Sequence, residues 1–555
     1  MKKIFLLFLI ITSHLAFSQN YKITYKNFFE GKENTKQDPI IVFTNETETF
    51  VLTENILQTT KEIPFEIIKI ERADQTVSQF AFLQNEQISE YQNSGSLQKQ
   101  NFEMKSETKK ILGYTCKKAE TSINSNTMEI WYTSELKVKG SPSILGQELG
   151  LVLEIVRNGN SSTKATEISK IKKFDVENLF AKKTLTGTDE LSYKDLLWKS
   201  RFITLPIFEN ETINFTDNPK SNDKILRFAK GTVILKKIKI PEIKENSNVF
   251  LELTEQSAGD AYDRTGTVFI IPQNKEKSFF DALQNNAKTV PTFENGNGKI
   301  YQGVVATEVY EPALELMRFF TPFGIQQFNN LKLKDKNWHE KAYYRQDISD
   351  LKQILSDKEY WIGVFIGNYD KNGHKVSLEM TIHQDGLDVF KNDSAIPLFN
   401  TLNIMEMDGQ NYSTMFGSPK GLTVNFKLTK DLKNATLRYI TTGHGGWENG
   451  DEFLPKENKI VLDGKEIGSF IPWRTDCGSY RLYNPASGNF PNGLSSSDYS
   501  RSNWCPGTTT NPNYISLGDL KAGQHIMQIT IPQGETEGSS FSSWNVSGVL
   551  LGNEK

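Results

Sequence analysis

The stretch V-S-L-E-M-T-I, Val376 to Ile382, alternates without a break: Val376, Leu378, Met380 and Ile382 against Ser377, Glu379 and Thr381. A period of two puts the apolar side chains on one face of a strand and the polar ones on the other. The pattern returns at Ile238 and Ile240 among Lys237 and Lys239. It returns again at Met527, Ile529 and Ile531 among Gln528 and Thr530. Asn, Gly and Asp turns separate such segments to the end of the chain, as in sandwiches and jelly rolls. Only Lys277 to Asn286 and Asp347 to Ser356 read as helical; in the first, Phe279, Phe280 and Leu283 share a face. An all-β protein is expected. Its 555 residues suggest several domains. The polar run Lys182 to Leu196 reads as a linker, and a second junction falls near Asp385 to Asp393. The expected division is a leader over 1–18, an N-terminal β domain over 19–185, and two further β domains over 197–388 and 389–555.

Lys2 and Lys3 precede the apolar run Ile4 to Ile11, and Ala16-Phe17-Ser18 offers small residues for cleavage. This reads as a signal peptide cut near Ser18, with a secreted or periplasmic product. The run is too short to span a bilayer, and no longer one follows, so no membrane span is expected. The formal charge of −3 becomes about −5 once the two lysines leave. That balance, without a basic run or zinc-finger spacing, argues against a nucleic-acid partner. Of three cysteines, Cys477 and Cys505 share one segment and are expected to pair in an exported chain. The alternative is three free, buried thiols. Cys116, far away, is expected to be buried rather than reactive.

The chemistry concentrates between Thr442 and Gly507. T-G-H-G-G-W-E-N-G-D-E-F is followed by a polar run from Cys477 and by S-R-S-N-W-C-P-G. Binding groups gather on long loops held by rigid scaffolds. Here Glu448, Asp451 and Glu452 stand among glycines beside Trp447. A second candidate is G-D-A-Y-D-R, Gly259 to Arg264, which opens the apolar strand Thr267 to Ile271. Alone, an Asp-Arg pair reads as a solvated surface pair; the distant carboxylate cluster gives it weight as half of a divided site.

From Arg201 to Leu551 the chain resembles the peptide-N-glycosidase F family, amidases that remove N-linked glycans from asparagine. The resemblance rests on A-Y-D-R (261–264), R-F-F-T-P-F (318–323), G-D-E-F (450–453) and S-R-S-N-W-C-P-G (500–507), in that order. It implies two antiparallel eight-stranded jelly rolls side by side, with the active site where they meet. Asp263 falls on the family's essential aspartate and Glu452 on the glutamate of the second domain. Arg264, Arg501 and Trp504 fall on substrate-contacting positions; Tyr369 replaces a tryptophan, and Gly367 an acidic residue. His444 is a candidate contact, and Trp447 a sugar face or a core residue. Before this region, K-K-I-L-G-Y-T-C-K-K-A (109–119), M-E-I-W-Y-T-S-E-L (128–136) and L-G-L-V-L-E-I (149–155) resemble the GLPGLI family. Trp131, Tyr132, Leu151, Leu153 and Ile155 read there as the core of an antiparallel sheet, and an accessory role is expected.

A carboxylate can activate water, and fixed guanidinium groups can stabilise an oxyanion. The expected activity is therefore hydrolysis of the asparagine–N-acetylglucosamine amide, with Asp263 and Glu452 catalytic and N-glycosylated peptides and glycoproteins as partners. The chain is expected to act as a monomer without a cofactor. Three other readings remain. A copper monooxygenase on a similar paired fold would need clustered imidazoles. His14, His339, His374, His383, His444 and His525 show no such motif, and no metal is expected. A non-catalytic glycan-binding protein would use the same tryptophans. A glycosidase would turn the same carboxylates on an acetal.

Overall fold

The computed structural model describes residues 19–555, apart from 59–62, 84–86, 182, 327–331, 385–391, 412, 446–449, 486–494 and 537–539. The expected leader, Trp447, Glu448 and most of the second junction lie outside the described residues. The chain divides into two units, Met1–Phe202 and Ile203–Lys555.

The first unit is built on a 13-stranded sheet. Its strands run antiparallel, save that Thr184–Gly187 pairs parallel with Gln87–Asn93. Trp131, Tyr132, Leu151, Leu153 and Ile155 are all buried in it. Cys116 is free and buried. The expected linker Lys182–Leu196 is a correction: it supplies that parallel strand and most of the helix Glu190–Lys199. Asp189 caps the helix by accepting from the amides of Leu191 and Ser192. Tyr193 is the helix's fully buried residue, and its hydroxyl donates to Glu66 Oε1 at 2.8 Å. A helix that buries so little has a composition hard to tell from a linker's.

The second unit contains two sandwiches. In the first, Phe202–Ile213, His374–His383, Asn248–Ser257 and Ala342–Asp347 form a four-stranded sheet. A six-stranded sheet faces it, with Val233–Lys239, Glu359–Ile366, Thr265–Ile271 and Leu314–Phe320 at its centre. The alternation read from the sequence is the packing pattern: Val376, Leu378, Met380 and Ile382 meet Val268, Ile270, Ile362 and Val364 in one core. The second sandwich packs two four-stranded sheets through Leu437, Leu550, Val424, Met527 and Ile460. Strand number therefore departs from eight in the first sandwich. The last strand of its larger sheet, Thr509–Thr510, comes from the C-terminal half and pairs with Arg318 and Phe319. Of the two expected helices, Phe279–Asn285 forms behind a capping box of Ser278 and Asp281. Asp347–Ser356 gives only a 3-10 turn, Ser349–Leu351, and one α turn, Lys352–Leu355.

Buried ion pairs weld the sandwiches. Arg318 is held by Glu315 and donates to Thr442 Oγ1 at 3.1 Å and to the Asn545 carbonyl at 2.6 Å. Arg438 runs the other way, donating to the carbonyls of Glu315 and Leu316 and pairing with Asp350 at 2.9 Å. Removing one partner of such a pair costs about 3–5 kcal/mol, because a buried charge is left alone. The relation of the two sandwiches is thus fixed, and so is whatever they build together.

Candidate active site

Asp263 and Glu452, 189 positions apart in the chain, meet on one guanidinium. Arg501 Nη2 lies 3.2 Å from Asp263 Oδ2, and Arg501 Nη1 donates to Glu452 Oε1. Arg501 is fully buried, while the two carboxylates keep 16% and 18% of their side-chain surface open. The acids therefore face solvent and the cation stands behind them. Its planar fork suits this bridging in a way a lysine would not. Arg501 also donates to the Ser496 carbonyl at 2.7 Å and lies over the Trp504 ring, 4.3 Å from its centroid.

Local sequence explains how each element reaches the site. Asp263 sits in the connection between the strands Asn248–Ser257 and Thr265–Ile271. The R-F-F-T-P-F segment pins it: Thr321 Oγ1 accepts from the Arg264 amide at 2.8 Å and donates to the Tyr262 carbonyl at 2.9 Å. The same segment holds the C-terminal loop, since the Gly507 amide donates to the Phe320 carbonyl and the Phe320 amide to that of Thr508. Phe320 stacks on Trp504 at 4.3 Å. Cys477 and Cys505 form the expected disulfide. Arg474 and Arg501 exchange backbone hydrogen bonds of 2.9 and 3.0 Å, tying the two limbs of that loop. In G-D-E-F, Asp451 is fully buried and accepts from Trp544 Nε1 at 2.7 Å and from the Gly534 amide at 3.0 Å. It anchors the turn that presents Glu452. Gly443 must be glycine, because a Cβ there would come within 2.8 Å of Trp544, Ser502 and Asp451.

Burial and charge set the ionisation of the site. Burial pushes the Asp263 carboxyl above its ordinary value, and Arg501 and Arg264 oppose that rise. Burial pulls Arg501 down to about 10, against the pull of Asp263. His444 is pulled down to about 3 by burial and by Arg318 and Arg501, so it is a neutral imidazole.

Three expectations about substrate contacts change. Trp504 is only 2% exposed; Phe320 stacks on it, and its Nε1 donates to the Gly443 carbonyl at 2.9 Å. It supports Arg501 and offers no open face to a sugar. Arg501, fully buried, holds the acids. His444 bonds Thr442 at 2.7 Å and packs against Phe320 and Trp504. By contrast Arg264 reaches the surface beside two exposed rings, its Cζ 4.9 Å from Tyr262 and 5.6 Å from Tyr369. Trp447 lies outside the described residues.

Sequence reasoning passed over Asp260, His374, Glu255 and Thr321. Asp260 accepts from Arg264 Nε at 2.6 Å and Nη2 at 3.1 Å. His374 bonds Glu255 at 2.8 Å and Asp260 at 3.4 Å. The available signal was an acid four residues before Arg264; nothing local marked His374. Among the described residues no group of three or more His, Cys, Asp or Glu is placed to hold a metal ion.

Residues 204–382 match a family model described as Peptide-N-glycosidase F, N terminal, and 411–551 match Peptide-N-glycosidase F, C terminal. Two crystal structures of PNGF-II, in space groups C2 and P21, superpose with TM-score 0.91 at 60% identity. They cover 97% of this chain and 98% and 100% of theirs. The chain belongs to the peptide-N-glycosidase F family. The solved structure of PNGase F, a glycosylasparaginase from Flavobacterium meningosepticum, matches at 14% identity and TM-score 0.41, over 64% of this chain and 97% of that one. No curated protein matches. Residues 23–195 match a model described as N-glycanase peptide, N-terminal domain. That match spans the region likened to GLPGLI proteins and runs through the supposed linker. Among the described residues no helix is long and apolar enough to cross a membrane.

Proposed function

We propose that this peptide-N-glycosidase F family member is a secreted glycoamidase. It hydrolyses the amide between asparagine and the innermost N-acetylglucosamine of N-glycans, leaving aspartate in the peptide and releasing the glycan. One observation carries the reading: Asp263 and Glu452, from different sandwiches, present open carboxylates on a shared buried Arg501. Asp263, raised by burial yet facing a cation, suits a base that takes a proton from the attacking water. Glu452, on the other side of Arg501, orients water and substrate. Arg264, partly open between Tyr262 and Tyr369, is the guanidinium available to the developing oxyanion or to the glycan. The water oxygen bonds to the amide carbon, the carbon–nitrogen bond breaks, and the departing nitrogen takes a proton. Arg501 and Trp504 act by holding this geometry. Both halves of the site come from one chain, so a monomer suffices, and the disulfide suits an oxidising compartment outside the cytosol.

The test is release of N-glycan from a denatured glycoprotein by purified protein, compared with Asp263→Asn. Release by wild type and loss in the variant are expected. No release from varied glycoproteins sinks the amidase reading, and full activity in Asp263→Asn sinks the assignment of the base.

A further inference from the structure

Behind the reacting loop lies a row of four ionisable groups, three of them buried, Glu255, His374 and Asp260, and the fourth, Arg264, partly open. Glu255 sits on the strand Asn248–Ser257, and His374 opens its neighbour His374–His383, where it faces Ser257 across the ladder. Asp260 belongs to the loop between Ser257 and Thr265 that carries Asp263. Glu255 and His374 are fully buried and Asp260 is 3% exposed. The row is continuous: Glu255 Oε1 to His374 Nδ1 at 2.8 Å, His374 Nε2 to Asp260 Oδ2 at 3.4 Å, then Asp260 to Arg264 through two hydrogen bonds. Asp260 also accepts from the Tyr262 amide at 3.2 Å, one residue before Asp263.

We propose that His374 is a positioning residue for the amidase reaction. By bonding Glu255 and Asp260 at once, it fixes Asp260 as the two-point acceptor that orients Arg264 and the Asp263 loop. The charge count supports this. Within the row, two carboxylates and one arginine leave a surplus of one negative charge, and an imidazolium at His374 cancels it. Among the described residues, Glu255 Oε2 has no hydrogen-bond partner, so Glu255 depends on His374. The charged and titratable groups facing the row from outside it are Asp263, which feels both Asp260 and Arg264, the phenol of Tyr369 against Arg264, and the buried phenol of Tyr344 alongside Glu255 on the next strand. Burial pulls His374 down, but hydrogen bonds and charge from Asp260 and Glu255 win and lift it to about 9. Asp260 is held down to about 2: burial raises it, and His374 and Arg264 overcome that. Because the folded value of His374 lies above the unfolded one, its support is complete below about pH 6.5 and is lost as pH rises through about 9.

The proposal rests on the glycoamidase reading, and its test separates the two. In His374→Gln, kcat/KM should fall roughly tenfold or more, chiefly in kcat, since a loosened loop harms the transition state more than binding. The double variant His374→Gln/Glu255→Gln removes one charge of each sign and lets the introduced amides bond each other and Asp260. It should recover activity to within about threefold of wild type, as coupled sites do. It should also lack the alkaline limb near pH 9. Wild-type kinetics in His374→Gln, or a double variant no better than the single one and still showing that limb, would overturn the proposal. Histidine-labelled wild-type protein gives a reading independent of whether any variant folds. One imidazole should titrate near pH 9 and be charged at pH 8; if every imidazole is neutral at pH 8, the proposal fails. Should wild type release no glycan, the glycoamidase reading fails, while the titration still decides the state of His374.

Discussion

Replacing Arg501 by methionine probes the site at its hinge. The substitution keeps an unbranched apolar stem and removes the cation on which both acids rest. Arg501 Nη2 is 3.2 Å from Asp263 Oδ2. At an effective dielectric of about 20, that separation is worth about 5 kcal/mol of attraction. Water entering the vacated space reduces the net loss, and about 3 kcal/mol is a reasonable working figure, corresponding to roughly 2 units in the Asp263 pKa. Glu452 loses the same partner, so the two carboxylates also repel. Asp263 already sits above its ordinary value through burial; without Arg501 it rises further. The acid limb of kcat/KM, which reports the free enzyme, should move up by about 2 pH units. Activity on a glycopeptide should fall about a hundredfold on the acid side of the wild-type limb, and progressively less as pH rises past the displaced one. The assay is kcat/KM from pH 5 to 10, with near-ultraviolet circular dichroism to confirm folding. Arg501→Lys keeps the charge but cannot reach both acids, and should restore the position of the limb without the full rate. A folded Arg501→Met protein with an unmoved acid limb would refute the reasoning.

Other perturbations separate holding from chemistry. Asp263→Asn should abolish release yet melt higher than wild type at pH 8. A carboxyl raised on folding lends its full stability below its ordinary value and loses it as pH climbs through the folded one, so removing the charge helps at high pH. A lower melting temperature would contradict this. Cys477→Ser with Cys505→Ser should cost about 3.5 kcal/mol of stability by loop-closure entropy and slow catalysis by freeing the Arg501 loop, read by denaturant melts and kcat. Phe320→Ala should cost about 3–5 kcal/mol, because it opens a cavity under Trp504, and should lower activity although Phe320 touches no substrate. Thr321→Val leaves the Arg264 amide without its acceptor and should cost about 1–3 kcal/mol, with kcat falling more than KM rises.

Much of the fold was legible because antiparallel sandwiches write their burial into alternate residues. Val376 to Ile382 reads as a strand and packs as one. The helix Glu190–Lys199 was not legible, because it buries essentially one tyrosine and Leu191 and Trp198 stay exposed. The six-stranded sheet was misjudged for a related reason: its last strand, Thr509–Thr510, is two residues from a loop of the other half. At the site, Asp263, Glu452 and Arg501 could be picked out because each stands in a compact motif. Their roles could not be divided from motifs alone. Whether an arginine touches substrate or stands behind acids depends on burial, and Arg501 and Trp504 proved to be buried. Asp260 and His374 are 114 positions apart, and only the strand register brings them together.

The most direct measurement is the mass of the peptide left when an N-glycopeptide is cleaved in water enriched in oxygen-18. Attack on the amide carbon requires asparagine to become aspartate carrying one heavy oxygen, with an intact glycan released, by wild type and not by Asp263→Asn. A peptide that keeps its asparagine, bare or bearing a single sugar, would contradict that chemistry and place the reaction at the glycosidic carbon instead.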